Sequence, residues 1–321
     1  MQSIQTGHLF SLSKVKPLEG LLRYRAYCLE EMKKSLSKGK RRRKISPIDE
    51  TVLLEPWGQI DGLDYLRCPK TGSLFLADLP SGESLKELLT RVSRYRQSEN
   101  TFHADIENSR LETVYGPKRE WIENTIRLQG IKKPVVLEVS TSPSEWTAFL
   151  KESKVFQEVL VAEEMDLAQG KSLEKEAADI AILLESLDRV DAPEKLLEGV
   201  SKSLKKNGLL FITALVSSGF DMVVLGSHNA YLYPPDRTNC FSLEGLKRLV
   251  MNAGFQLMEV STPGVLDIEI VKEHLRMDSA IPLSPFERQI VSAGDESRSA
   301  FQGFLQQSGL SSFARIMGVK K

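Results

Sequence analysis

The sequence predicts an α/β protein: a mostly parallel sheet flanked by helices, closed near the C-terminus by an antiparallel strand. Two observations carry this. Residues 134–139 (PVVLEV), 158–162 (EVLVA), 178–184 (ADIAILL) and 209–215 (LLFITAL) are short and almost continuously apolar, as strands buried on both faces are. Amphipathic stretches such as residues 192–204 separate them, giving the alternation that a strand–helix–strand sheet requires.

The 321 residues leave room for such a domain and a smaller one. We divide the chain into an N-terminal accessory region, 1–104, and an α/β domain with leading helices, 105–321. Lys+Arg and Asp+Glu both number 43, so net charge gives no reason to expect a nucleic-acid partner. The longest nearly apolar run of the C-terminal half, residues 209–216, is far below the roughly 20 residues of a spanning helix. Residues 1–16 lack the apolar stretch of a secretory signal. The expectation is a cytoplasmic protein without a membrane span. Cys28, Cys68 and Cys240 are odd in number and far apart, which fits reduced thiols rather than a disulfide framework.

Residues 21–36 read as a helix, followed by the basic run Lys38, Lys40, Arg41, Arg42, Arg43, Lys44. That run reads as a solvated linker, with phosphate or anionic-lipid binding as the other reading. Residues 105–128 have helical spacing, broken at Gly116-Pro117 where a second helix starts. Asn207-Gly208 suits a helix stop before the fourth apolar run. Residues 243–253 form a helix capped by Gly254, 255–261 a strand, 299–307 a helix and 313–319 the final strand.

In an open parallel sheet a ligand lies beyond the carboxyl ends of the strands, and the first strand-to-helix turn is where a nucleotide-like cofactor needs glycine. Here that turn is Glu138, Val139, Ser140, Thr141, Ser142, Pro143, Ser144, Glu145, with no glycine. Its hydroxyls either cap the following helix or keep a cofactor role. Glu163 or Glu164 ends the second run, where an acidic residue takes ribose hydroxyls, and Glu185 ends the third. Only residues 165–177 remain before that third run, which leaves little space for a helix plus a further strand.

With these residues in view, the chain resembles the class I S-adenosylmethionine-dependent methyltransferases of the bacterial surface-polysaccharide type. The resemblance is loose from about Leu21 and close from Ala178 onward. Its marks are residues 201–213 (SKSLKKNGLLFIT), 218–229 (SGFDMVVLGSHN), 233–241 (YPPDRTNCF), 254–270 (GFQLMEVSTPGVLDIEI) and 300–312 (AFQGFLQQSGLSS). It implies a Rossmann-like methyltransferase sheet with a degenerate zinc-ribbon segment before it. This chain departs from the family's pattern at several positions. The glycine-rich first motif is replaced by residues 140–144, and the Glu-His pair after the fourth strand by Asp188-Arg189. Two histidines are replaced by Arg237 and Phe313. Of the paired cysteines only Cys68 stands, and one thiolate cannot build a tetrahedral zinc site, so no metal is expected.

The resemblance implies S-adenosylmethionine as cofactor, with Glu138, Ser140, Ser142, Glu163 and Glu185 as its candidate contacts. His228 is the candidate base by type and place. Asp221, Asn229, Tyr233, Asp236 and Arg237 are candidate acceptor contacts, and Tyr231, Tyr233, Pro234 and Pro235 form either a sugar-stacking wall or simple packing. Asp267 and Glu269 read as exposed charges on a strand or at a helix start. Two functions remain open: methyl transfer to a surface-glycan or other small-molecule acceptor, and a catalytically inactive methyltransferase-like subunit that binds a partner such as an active paralogue.

Overall fold

The computed structural model describes residues 18–97, 111–141, 144–171 and 175–321. The helix expected from residue 105 and the candidate Ser142 therefore fall partly or wholly outside the described residues.

The N-terminal region opens with helix α1 (Leu18–Ser37), whose buried stripe includes Leu21, Tyr24, Cys28 and Met32 at spacings of three and four. Short strands β1 (Lys40–Arg42), β2 (Glu55–Ile60), β3 (Leu63–Arg67), β4 (Leu74–Leu76) and β5 (Asp78–Pro80) follow, then helix α2 (Gly82–Gln97). The basic run is thus no linker. Residues 40–42 pair antiparallel with β5, and Lys40 lies 2.8 Å from Asp78, Arg42 3.2 Å from Asp64 and Arg41 3.3 Å from Asp191. Acidic partners distant in sequence recruit these cations into a ribbon. Arg43 is buried and donates to the Asn239 side chain at 2.7 Å and to the Asp191 carbonyl at 2.9 Å.

The main sheet is built from β6 (Val135–Val139), β7 (Glu158–Ala162), β8 (Ala178–Leu184), β9 (Leu204–Leu215), β11 (Phe255–Ser261) and β12 (Phe313–Lys320). Its order is β11-β12-β9-β8-β6-β7, parallel from β7 to β9, with β12 antiparallel to both neighbours. This is the expected mixed α/β sheet. Between β7 and β8 the described residues hold only the five-residue helix α5 (Glu164–Ala168) and no strand, so β7 is an edge.

The helices are α3 (Gly116–Leu128), α4 (Glu145–Lys151), α6 (Pro193–Ser203), α7 (Phe220–Leu225), α8 (Leu243–Asn252), α9 (Asp267–Met277), α10 (Pro285–Ser292) and α11 (Asp295–Gln307). Strand periodicity divides the core between the two faces. Leu209 and Phe211 of β9 pack with Trp121, Ile122 and Ile126 of α3 and Trp146 and Leu150 of α4. Leu210 and Ile212 turn to the larger core with α6, α8 and the N-terminal residues. The helix stop expected at Asn207-Gly208 comes earlier, at Ser203. Leu204 already pairs with Ala178, and Asn207 takes a left-handed turn (φ 61°) inside β9.

A fourth strand, β10 (Asn239–Cys240), completes the small N-terminal sheet in the order β10-β4-β3-β2. All three cysteines are buried and free. Among the described residues no helix is long and apolar enough to cross a membrane, and no cluster of three or more His, Cys, Asp or Glu stands ready for a metal.

Gly219 joins β9 to α7 where the backbone of Ser312 passes; an added Cβ would stand 2.1 Å from Ser312 Cα. Gly219→Ala is expected to cost about 1–3 kcal/mol through overpacking, read as a lower urea midpoint with an unchanged slope.

Candidate functional site

The chain leaves β6 outward to β7 and returns to β8 on the other side of β6, so the strand order reverses between β6 and β8. A crevice opens at such a switch point beyond the carboxyl ends of the strands. A cavity of about 250 Å³ lies there, bounded by Glu138 to Thr141 at the end of β6 and by Leu184 and Glu185 at the end of β8. Helices α1 and α2 cover it with Tyr24 and Arg96, and the loop before β10 adds Tyr231, Tyr233, Asp236 and Arg237.

Glu138 is the buried acid of the first turn, 2% exposed, with Oε2 lacking any hydrogen-bond partner among the described residues. Burial pushes its carboxyl up to about 7, against the hydrogen bonds of Thr147 and Ser140 that favour the carboxylate. The Ser140 N–H donates to the Ala162 carbonyl at 3.0 Å, and Thr141 donates to Glu164 at 2.8 Å. Ser144 caps α4, exchanging hydrogen bonds with Thr147 in a capping box.

The same cavity holds a cluster of buried charges. Arg96 Nη2 contacts both oxygens of Asp236 at 2.6 Å and donates to the Tyr24 hydroxyl at 2.6 Å. The Tyr233 hydroxyl donates to the same carboxylate at 3.1 Å. Burial alone would raise the Asp236 carboxyl, but the guanidiniums of Arg96, Arg189 and Arg237 hold it below the ordinary range. Arg237 donates to Glu185 at 2.6 Å and lies 3.6 Å from Asp188. Asp188 is fully buried, and burial pushes its carboxyl well up against Arg237 and a backbone hydrogen bond from Leu215. Glu164, buried beside Arg189, is likewise pushed up by burial. Glu185 takes a left-handed backbone (φ 59°), a conformation of the kind that concentrates at functional sites.

Of the residues singled out in the sequence, Glu138, Ser140, Glu185, Tyr233, Asp236 and Arg237 meet at this cavity. Glu163 does not line it; its carboxylate pairs with Lys86 of α2 at 2.8 Å. Asp221 and Asn229 lie behind the wall, where Asn229 donates to Asp221 at 3.0 Å and accepts the Tyr231 N–H at 2.9 Å. His228 is exposed on the turn Gly226–His228 and is absent from the lining. The sequence reading missed Arg96 and Tyr24, whose helices carry no local signal of a site. It named Arg189 only as a departure from a family pattern, although it sits in the wall.

Residues 110–260 match the family model of a methyltransferase domain. The matched segment supplies Glu138, Glu185, Arg189, Asp236 and Arg237, whereas Tyr24 and Arg96 reach the cavity from outside that segment. No curated protein matches the sequence. Among solved structures, the chain is similar to the 1,6-didemethyltoxoflavin-N1-methyltransferase of Burkholderia thailandensis, solved with 1,6-didemethyltoxoflavin and S-adenosylhomocysteine. The two are 12% identical with a TM-score of 0.42, over 83% of this chain and 99% of that one. Phosphoethanolamine N-methyltransferase 2 of Haemonchus contortus, solved with S-adenosyl-L-methionine, is 14% identical with a TM-score of 0.41. That match covers 77% of this chain and 62% of the other.

Proposed function

We propose that the cavity between β6 and β8 holds S-adenosylmethionine and that the protein transfers its methyl group to a small polar acceptor. A surface-glycan intermediate is the acceptor class suggested by the C-terminal resemblance. The observation that carries the reading is Glu138, a buried carboxyl with one unpartnered oxygen in the wall of the switch-point cavity. Its natural complement is a cation, and the cofactor brings an ammonium and a sulfonium. The charge fits there, while the adjoining turn offers Ser140 and Thr141 side chains where glycine would leave open backbone. Bound there, S-adenosylmethionine supplies an electrophilic methyl group. The protein's part is to exclude water and hold the acceptor in line, which supplies much of the rate in such transfers.

Calorimetric titration with S-adenosylmethionine and S-adenosylhomocysteine tests this. Expected is micromolar affinity, worth about 8 kcal/mol, falling about tenfold in Glu138→Gln. The absence of heat at high protein concentration would refute cofactor use and favour the second reading, a non-catalytic subunit, which the glycine-free turn and the Lys86–Glu163 pair would then explain.

A further inference from the structure

Arg189 differs from the other guanidiniums of the cavity. Arg96 and Arg237 spend their donors on Asp236, Tyr24 and Glu185 at 2.6 Å. Among the described residues, Arg189 makes a single side-chain hydrogen bond, from Nη1 to Glu164 at a marginal 3.5 Å. Its Nε is buried with no hydrogen-bond partner, 3.8 Å from Asp236. Both nearby carboxylates are already served, Asp236 by Arg96 and Tyr233 and Glu164 by Thr141. A guanidinium carries five N–H donors in a fixed fork, and leaving the buried Nε–H unmade in a side chain 14% exposed is costly.

We propose that Arg189 is the anion-binding residue of the acceptor subsite, and that the acceptor carries a carboxylate or phosphate which Arg189 grips through its unspent donors. An oxyanion with two oxygens matches the fork, so paired short hydrogen bonds replace the one long contact. Arg237, whose Nε is also without a partner among the described residues, lines the same cavity and adds a second positive charge. Among the described residues no hydrogen bond or ion pair joins Arg189, assigned to the anion, to Glu138, assigned to the cofactor's cationic end. This inference rests on the methyltransferase reading of the cavity, but its probes act without cofactor.

The test titrates the full chain with inorganic phosphate and with malonate, following the fluorescence of Trp146 in the cavity wall and the thermal midpoint. Wild type is compared with Arg189→Gln and Arg189→Lys. Expected is saturable binding of at least one anion, weakened about tenfold or more in Arg189→Gln and less in Arg189→Lys. S-adenosylhomocysteine affinity should change less than about twofold in the same variants. An unchanged melting curve of the free variants, or the partial recovery in Arg189→Lys, separates lost binding from lost folding. The proposal is overturned if neither anion saturates, or if both bind the glutamine variant as well as wild type. It is also overturned if Arg189→Gln loses S-adenosylhomocysteine while keeping the anions, which would give the guanidinium to the cofactor's own carboxylate. Arg189-dependent anion binding without any S-adenosylhomocysteine binding would uphold the anion subsite and sink the cofactor reading alone.

Discussion

Asp267→Ala is expected to destabilise the protein by about 3 kcal/mol or more. The sequence suggests an exposed charge, but the structure buries it to 1% exposure at the first residue of α9. Its carboxylate accepts from the Ser311 hydroxyl at 2.6 Å, the Ser312 N–H at 2.6 Å and the Gln302 amide at 2.7 Å. One side chain therefore ties α9 to α11 and to the start of β12. Hydrogen bonds to a charged acceptor contribute about 1.5–3 kcal/mol each, and the alanine leaves three buried donors without an acceptor. Urea unfolding at neutral pH should show a lower midpoint at unchanged slope. A loss below about 1 kcal/mol would mean that the three donors find other partners.

The second large effect is a pH dependence. A carboxyl raised in the folded state favours its protonated form there. The contribution of Glu138 is therefore fully present below the ordinary value of 4.5 and is lost as pH rises through about 7. Over that window the loss is on the order of 3 kcal/mol. Glu138→Gln keeps the shape and cannot ionise, so its stability relative to wild type should improve steadily from pH 5 to pH 8. Asp188 and Glu164 are raised as well, so the variant retains some slope of the same sign. Asp236 is lowered and acts in a separate window, destabilising only as pH falls below the ordinary carboxylate range. Parallel stability curves of the two proteins from pH 5 to pH 8 would contradict the raised Glu138 carboxyl. A cationic ligand at Glu138 should in turn bind more tightly as pH rises through 7, and lose that dependence in the glutamine variant.

The sheet was legible because strands buried on both faces leave an unbroken apolar trace, as residues 178–184 and 209–215 do. The chain between β7 and β8 was legible by length alone. Half of the cavity was legible for a topological reason: Glu138 and Glu185 end parallel strands, and the fold fixes where such ends gather. Arg96 and Tyr24 were not. They sit on helices whose sequences show only amphipathic spacing, and their role arises from a packing of the N-terminal region that no local pattern encodes. Asp267 and the basic residues 40–43 failed for a related reason. A charged side chain looks solvated in sequence, and only the arrival of distant partners such as Ser311, Asp78 or Asn239 makes burial or pairing favourable.

The small N-terminal sheet has an order of assembly written into it. Its strand β4 pairs with Asn239–Cys240, so Leu74 waits for a residue 166 positions further along the chain. At about 5–20 residues per second, a ribosome needs roughly 10–30 s to deliver that strand. During this interval the edge of β4 stands unpaired and Phe75, fully buried in the finished protein, lacks the Phe241 ring that later packs edge-on against it. The nascent chain thus carries an open sheet edge while those 166 residues are made, and the small sheet closes only when Asn239–Cys240 arrives.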